Sequence, residues 1–258
     1  SNRLPILFLP GDTYANRMPD PVLQQVEHFS NPGMTANDSF KPVTKYFDRI
    51  TRPEQIIQSL PQAIQTMLDP ADTGPACLSL CQDVQGETFD YPEEFFKERI
   101  HNIRRPKPDD FQIKQAMEKI KKSKKPIIIS GGGVFYSDAM DELGSFAIKH
   151  NIPVTQTVMG YSTMKRDHSH FLGPIGGLGG RAANNLAKET DLAICVGTKL
   201  ADFTTGSWAN FENPEFKLVS INIARHDANK HLAEAVIGDA KVCLSELSNS
   251  LGNWKSPD

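Results

Sequence analysis

Short apolar runs alternate along the chain with segments whose apolar residues recur at helical spacing. The runs are apolar at successive positions, which is typical of parallel strands buried on both faces. The predicted strands are residues 4–9, 76–80, 126–130, 152–158, 191–197 and 217–223. The predicted helices are residues 53–68, 110–122, 138–150, 181–188 and 240–251. This alternation predicts βαβ units, and therefore an α/β fold in which a parallel sheet is flanked by helices.

Residues 95–110, with the sequence FFKERIHNIRRPKPDD, interrupt this alternation. They are basic, contain two prolines and show no apolar periodicity, which is typical of a linker. We therefore expect a partial α/β domain at residues 1–95, a linker at 96–109, a second domain at 110–252 and a tail at 253–258. Because the chain begins almost at once on the strand pattern LPILFLP, without an initiator methionine, we expect it to be a piece of a longer polypeptide.

The composition is that of an ordinary globular protein, with 39% hydrophobic residues and a net charge of −3. Such a charge gives no reason to expect nucleic acid or an anionic membrane as a partner, and we predict neither. No apolar stretch approaches the roughly 20 residues of a membrane span, and no signal-peptide pattern is visible. The four cysteines lie in apolar surroundings, which favours buried, reduced thiols and a cytoplasmic location.

Residues 131–133 are three consecutive glycines between a predicted strand and a helical pattern, in the stretch PIIISGGGVFYSDA. Glycines at such a turn allow a phosphate to approach the backbone at a helix N-terminus. The dinucleotide fingerprint, however, requires G-x-G-x-x-G and an acidic residue about 20 positions later, whereas the next strand ends in TQT. Two interpretations remain open: a phosphate-binding turn, or a structural corner between strand and helix.

Two other patterns are weaker. Residues 173–185, GPIGGLGGRAANN, match G-x-G-x-x-A by count, but no apolar strand precedes them. Asp12 and Asn37 are spaced like the oxygen ligands of a G-D-G…N magnesium motif, but Thr13 replaces the second glycine. The seven histidines form no metal or catalytic pattern, and no nucleophile elbow or P-loop is present. We therefore predict no metal site and no catalytic residue in this chain.

The order of the motifs resembles a known family. The GGG turn, the strand IPVTQTVMG, the glycine cluster and DLAICVGTKLADFTTG are similar to the central domain of thiamine diphosphate-dependent enzymes of the acetolactate synthase type. Upstream, LQQVE, KPVTKYFDRI and GPACLSLCQDV resemble the second half of the pyrimidine-binding domain of the same family. The resemblance covers nearly the whole chain. It implies a Rossmann-like central domain at 110–252, preceded at 1–95 by the C-terminal half of a pyrimidine-binding domain.

Longer stretches are similar to a hydrolytic branch of this family. LPGDTYANRMPDPVLQQVE, NDSFKPVTKYFDRITRPEQI and DVQGETFDYPEEFF resemble the enzymes of bacterial inositol catabolism that open the ring of a cyclic 1,2-diketone. This implies a C–C bond hydrolase that uses thiamine diphosphate and magnesium, takes a small cyclic diketone as substrate and forms a homo-oligomer. The family's activating glutamate and its magnesium- and diphosphate-binding motif have no counterpart here. We therefore expect a fragment that binds no cofactor and is inactive by itself.

The resemblance also implies positions for two sets of binding residues. In flavin-binding relatives, the central domain holds FAD in a pocket whose counterparts here are Gly131, Gly132, Gly133, Gly177, Gly179, Gly197 and Lys199. Those relatives usually carry arginine where this chain has Lys199, and lysine cannot reproduce its planar, bidentate contacts, so we expect a vestigial pocket. Gln24 and Lys45 correspond to positions near the cofactor-facing edge of the pyrimidine-binding domain. The alternative functions are a non-catalytic FAD- or NAD-binding domain and a purely structural central domain.

Overall fold

A computed structural model describes residues 3–19, 21–23, 25–26 and 28–257. These residues form two compact units, which divide between Arg104 and Arg105. The division falls inside the linker that the sequence predicts at 96–109. Each unit is described by itself.

The N-terminal unit contains a small parallel sheet and one α-helix. The strands are β1 (Leu7–Phe8), β2 (Gly11–Asp12), β3 (Tyr46–Ile50) and β4 (Ala76–Cys81), and the helix is α1 (Ile56–Leu68). Short 3₁₀ helices are Ala36–Val43, Pro53–Gln55, Val84–Gly86 and Glu93–Phe96. Strand β4 is central, since β3 pairs with it along one edge and β1 and β2 pair with successive parts of it.

Two features of this sheet differ from the sequence prediction. The strand predicted at 4–9 is shorter and resumes as β2 beyond Pro10, a residue that has no N–H to donate to a ladder. Strand β3 was not predicted, because Asp48 and Arg49 interrupt its apolar residues. The core of the unit is small. It consists of Ala63 of α1 against Ala76 and Leu78, with a second cluster around Ile50.

The C-terminal unit contains a six-stranded sheet, and every pairing in it is parallel. Its strands are β5 (Pro126–Ser130), β6 (Val154–Gln156), β7 (Phe171–Pro174), β8 (Leu192–Val196), β9 (Lys217–Asn222) and β10 (Glu234–Ile237). Its helices are α2 (Asp110–Lys122), α3 (Gly132–Tyr136), α4 (Met140–His150), α5 (Arg181–Glu189), α6 (Asp202–Thr205), α7 (Arg225–Ala228) and α8 (Ala240–Leu251). Two short 3₁₀ helices are Val158–Gly160 and Lys230–Leu232.

The strand order of this sheet is β10-β9-β8-β5-β6-β7. The chain therefore runs outward from β5 in one direction, returns, and runs outward from β8 in the other direction. The predicted α/β class with a parallel sheet flanked by helices is confirmed. In such a doubly wound sheet, ligands bind beyond the carboxyl ends of the two strands at which the direction reverses. Here those strands are β5 and β8.

Apolar layers cover both faces of this sheet, which explains the continuous apolar runs of its central strands. In β5, Ile128 points into the layer that contains α2, α4 and α8, whereas Ile127 and Ile129 point into the layer that contains α5. All three isoleucines are 0% exposed. Within the described ranges, none of the helices is long and apolar enough to cross a membrane.

Candidate functional site

Three of the predicted glycines meet at the point where the sheet reverses direction. Gly131 and Gly133 follow β5, and Gly197 follows β8 on the neighbouring strand. A Cβ atom on Gly131 would lie 2.4 Å from the carbonyl oxygen of Gly197, and one on Gly133 would lie 2.6 Å from the Cα of Gly197. Gly197 itself has a φ of +62°. These glycines are therefore required for two loops to pack backbone against backbone.

The backbone donors of this turn are also engaged within the chain. The N–H of Gly131 donates to the carbonyl oxygen of Val196 at 2.8 Å, and the N–H of Gly133 donates to that of Gly197 at 2.9 Å. A phosphate-binding turn needs such N–H groups to point at the ligand. Gly132 is crowded as well, since a Cβ there would lie 3.0 Å from the carbonyl oxygen of Met159. The geometry favours a structural corner over a phosphate cradle.

The backbone N–H groups of the second glycine cluster are also engaged within the chain. The N–H of Gly177 donates to the carbonyl oxygen of Phe203 at 2.7 Å, and the N–H of Gly179 donates to that of Gly176 at 2.8 Å. Asn184 of α5 clamps Gly176, because its Oδ1 accepts from the N–H at 2.9 Å and its Nδ2 donates to the carbonyl at 3.0 Å. The sequence analysis did not identify Asn184. The stretch GGLGGRAANN predicts that this asparagine lies in a helix, but it does not predict which residue the side chain contacts.

The two lysines of the prediction belong to different units, and each is described within its own unit. Lys199 is exposed, two residues beyond Gly197. Lys45 is exposed and precedes β3, and its Nζ lies 2.9 Å from Oδ1 of Asp72. It therefore stands at the amino end of its strand, away from the carboxyl ends at which α/β sheets bind ligands. Gln24 lies outside the described residues.

A buried polar network, which the sequence analysis did not predict, surrounds Asp12. The carboxylate is 0% exposed and accepts hydrogen bonds from the Arg49 guanidinium at 2.7 Å and from the Ser79 hydroxyl. Arg49 also donates to Oδ2 of Asp38 at 2.8 Å. Asn37 completes the cluster through Ser79, to which its amide donates at 2.8 Å. One guanidinium thus lies between two carboxylates.

These contacts keep both carboxyls ionised. Burial by itself would raise the pKa of Asp12, but hydrogen bonds from Ser79 and Arg49 outweigh it and hold that pKa below its ordinary value. For Asp38, burial acts in the same direction and is outweighed by hydrogen bonds from Lys41, the Thr35 N–H and Arg49, which lower the pKa to about 2. Both carboxyls are therefore deprotonated near neutral pH, and neither can supply a proton for acid–base chemistry there.

The residues that were compared with a magnesium motif do not fit a metal ion. Asp12 and Asn37 do approach one another through Ser79, but the carboxylate is already neutralised by Arg49. A cation would have to displace that guanidinium. Across the described ranges, no cluster of three or more His, Cys, Asp or Glu side chains is arranged to hold a metal.

The four cysteines are free and buried. Burial raises the pKa of the Cys81 thiol to about 11 and that of the Cys243 thiol to about 12, and it raises those of Cys77 and Cys195 as well. A protonated thiol in apolar surroundings is a poor nucleophile. These residues belong to the core.

A doubly wound parallel sheet is shared by many families of α/β proteins, and the comparison with known proteins identifies the family of this one. The chain belongs to the family described as "Thiamine pyrophosphate enzyme, central domain", which it matches over residues 113–247. Among curated proteins, it is 50% identical over 257 residues to the 3D-(3,5/4)-trihydroxycyclohexane-1,2-dione hydrolase of Clostridium perfringens strain 13, a match that covers 99% of this chain and 40% of that protein. It is 46% identical over 256 residues to the hydrolase of the same name from Bacillus licheniformis, again over 99% of this chain and 40% of that protein.

A solved structure gives the same fold. Benzoylformate decarboxylase from Polynucleobacter necessarius superposes with a TM-score of 0.73 at 19% identity, over 100% of this chain and 46% of that one. At this identity the likeness concerns the fold alone. The chain spans about 40% of the length of the curated relatives it matches.

Proposed function

We propose that this chain forms the central domain, and part of the preceding pyrimidine-binding domain, of a thiamine diphosphate-dependent hydrolase that acts on 3D-(3,5/4)-trihydroxycyclohexane-1,2-dione. The reaction would open the ring to 5-deoxy-glucuronic acid in inositol degradation. The observation that carries this proposal is the 50% identity to the Clostridium perfringens enzyme over 99% of the chain. That identity extends well beyond residues 113–247, which any thiamine enzyme of this family would match.

Within such an enzyme, this chain would be a scaffold. In the turn after β5, the glycines pack against the loop after β8, and two N–H groups donate to the end of β8 and to that loop. Asp12 is neutralised by Arg49. Thiamine diphosphate, when bound, supplies the electron sink for C–C bond cleavage, and we infer that it and magnesium are held by other segments of the enzyme. Cytoplasmic location, homo-oligomerisation and the lack of nucleic-acid or membrane partners belong to the same proposal.

A chimera tests whether the chain serves this enzyme. The matching 257 residues of the Clostridium perfringens hydrolase are replaced by this chain, and hydrolysis of the cyclic dione is measured with saturating thiamine diphosphate and magnesium. We expect activity to be retained. A control chimera carries the matching segment of benzoylformate decarboxylase, at 19% identity, and we expect it to be inactive. A folded chimera of this chain that binds the cofactor but fails to turn over the dione would contradict the proposed substrate.

Calorimetry on the 258-residue chain tests the scaffold role separately. Thiamine diphosphate with magnesium, FAD and NAD are each titrated into the chain, and we expect no heat of binding for any of them. Micromolar binding of FAD or NAD would instead favour a nucleotide-binding domain. Micromolar binding of thiamine diphosphate would show that the cofactor does not need the remainder of the enzyme. Light scattering at two concentrations reports whether the chain self-associates.

A further inference from the structure

The last described residues, 252–257, pack against the C-terminal unit, and we call them the C-terminal strap. Trp254 is partly buried against the core cluster that contains α4 and α8. Ser256 is 7% exposed, whereas Lys255 between them faces solvent. The backbone N–H of Ser256 donates to the carbonyl oxygen of His150 at 2.8 Å. The strap is thus held at alternate residues, close to the last residue of α4.

The imidazole of His150 is 0% exposed and is bonded through both nitrogens. Nδ1 lies 2.8 Å from the carbonyl oxygen of Trp254, and because a carbonyl can only accept, Nδ1 must carry a proton. Nε2 lies 3.2 Å from the Ser248 hydroxyl of α8. The Lys149 ammonium donates to that same hydroxyl oxygen at 3.0 Å, so the Ser248 hydrogen is directed to Nε2. With a neutral imidazole, both ring nitrogens, the Ser248 hydroxyl and the Lys149 ammonium all have partners, whereas a protonated Nε2 would leave the hydroxyl hydrogen without its acceptor.

Protonation at Nε2 would disrupt this relay. The nitrogen would lose its lone pair, the Ser248 hydroxyl hydrogen would lose its acceptor, and a second positive charge would arise near Lys149. Burial, and to a smaller extent Lys149, lower the pKa of His150, although the hydrogen bond to the Trp254 carbonyl opposes them. The other charged groups of these elements are placed elsewhere: Glu142 pairs with Lys241, Glu246 borders a groove between α2 and α8, and Asp141 and Lys255 are exposed.

We propose that His150 is a proton-sensitive latch, whose neutral imidazole holds the C-terminal strap on the C-terminal unit and whose protonation at Nε2 releases it. A released His150 binds its proton more readily than a docked one. Docking is therefore strongest above the ordinary histidine pKa of about 6.5, and it weakens as the pH falls below that value towards the lower pKa of the docked state. A histidine at the end of one helix would thus control whether the strap stays docked on the unit.

Hydrogen–deuterium exchange of the Ser256 amide in the 258-residue chain tests the latch. After correction for the intrinsic exchange rate, we expect protection of this amide to fall severalfold between pH 8 and pH 5 in the wild type. His150→Gln keeps one donor and one acceptor but does not titrate, so its protection should be independent of pH. His226→Gln removes an exposed histidine of the same unit and should behave like the wild type.

Two results would overturn the latch. One is a wild-type Ser256 amide whose corrected protection is the same at pH 8 and pH 5. The other is a His150→Gln chain that loses protection with pH as the wild type does, since the responsible group would then be another one. His150→Phe retains an aromatic ring but no hydrogen bond, and we expect its strap to be unprotected at both pH values.

Discussion

Gly133 and Gly197 lie backbone against backbone, so closely that a Cβ built on either one would stand within 2.6 Å of the other's Cα. They are 64 positions apart in the chain, since 197 − 133 = 64, and they follow the two strands at which the sheet reverses direction. In related folds a crevice at this point receives a ligand. In this chain the loops that follow those two strands pack directly against one another at this point.

Gly133→Ala tests this contact, because close packing and helix propensity predict opposite signs for its effect on stability. Gly133 lies in α3, where helix propensity alone would make alanine stabilising by about 1 kcal/mol. We expect destabilisation instead, by roughly 1–3 kcal/mol, because the added methyl group would overlap Gly197. The measurement is urea unfolding followed by tryptophan fluorescence. Both tryptophans, Trp208 and Trp254, belong to the C-terminal unit, so the signal reports on that unit.

Gly180→Ala is the matched control. A Cβ at Gly180 would meet only the carbonyl oxygen of Pro174, at 3.9 Å, which is an ordinary contact, and its φ of −75° suits alanine. We expect a change within about 0.5 kcal/mol. Equal effects at Gly133 and Gly180 would mean that the two loops adapt freely to the added methyl group.

Arg49→Leu tests the charge network of the N-terminal unit. Removal of the guanidinium leaves the Asp12 carboxylate, which is 0% exposed, without its cation, and the loss of a partner in a buried pair costs about 3–5 kcal/mol. We expect the amides of β4 to lose hydrogen-exchange protection accordingly at pH 7. Adding Asp12→Asn to this variant should recover part of the protection, because the unpaired charge is then removed.

Lys45→Met provides the comparison within the same unit. Lys45 pairs with Asp72, but the two side chains are 43% and 81% exposed, and such surface pairs contribute about 0–1 kcal/mol. Its effect on the β4 amides should be small. If Lys45→Met were as damaging as Arg49→Leu, then Lys45 would have a structural role that its exposed ion pair does not explain.

The sequence predicts elements well where the apolar pattern is complete. Strand β5 and helices α2 and α8 have the predicted bounds, because their apolar residues follow the strand or helix pattern along their whole length. Strand β3 is missed because it contains the charged residue Arg49. The pattern cannot show that Arg49 pairs with Asp12 and Asp38, which lie outside the strand. Strand β7 contains a glycine and a proline, and both of them weaken a strand signal.

The candidate site shows the same limit more sharply. The glycines at 131–133 could be assigned to a strand-to-helix turn, but phosphate binding and close packing require the same residue type. The choice depends on Gly197, whose contact arises only when β5 and β8 become neighbours. The neutralisation of Asp12 by Arg49 depends similarly on the pairing of β2 and β3 with β4. Motif spacing cannot supply these contacts.

Acid should weaken the N-terminal unit through Asp38. Its pKa is about 2 in the folded chain against an ordinary value of 3.8, so the stabilisation is fully present above pH 4 and is lost as the pH falls from about 4 to about 2. The shift corresponds to an effect on the order of 2 kcal/mol. We expect the stability difference between the wild type and Asp38→Asn to shrink across this window. A difference that is constant from pH 5 to pH 2 would argue against the ion pairs of Asp38 as its source.

The four thiols should resist alkylation until the chain unfolds. Cys77, Cys195 and Cys243 are 0% exposed and Cys81 is 1% exposed, and burial raises the pKa of each of them, so neither access nor thiolate is available in the folded state. With iodoacetamide at pH 8, we expect mass spectrometry to find no adduct on the native chain and four adducts in urea. Glu212→Cys places a thiol at an exposed position and should gain one adduct rapidly. Because Cys77 and Cys81 lie in β4 and Cys195 lies in β8, early labelling of the first pair alone would show that the N-terminal unit opens before the C-terminal unit.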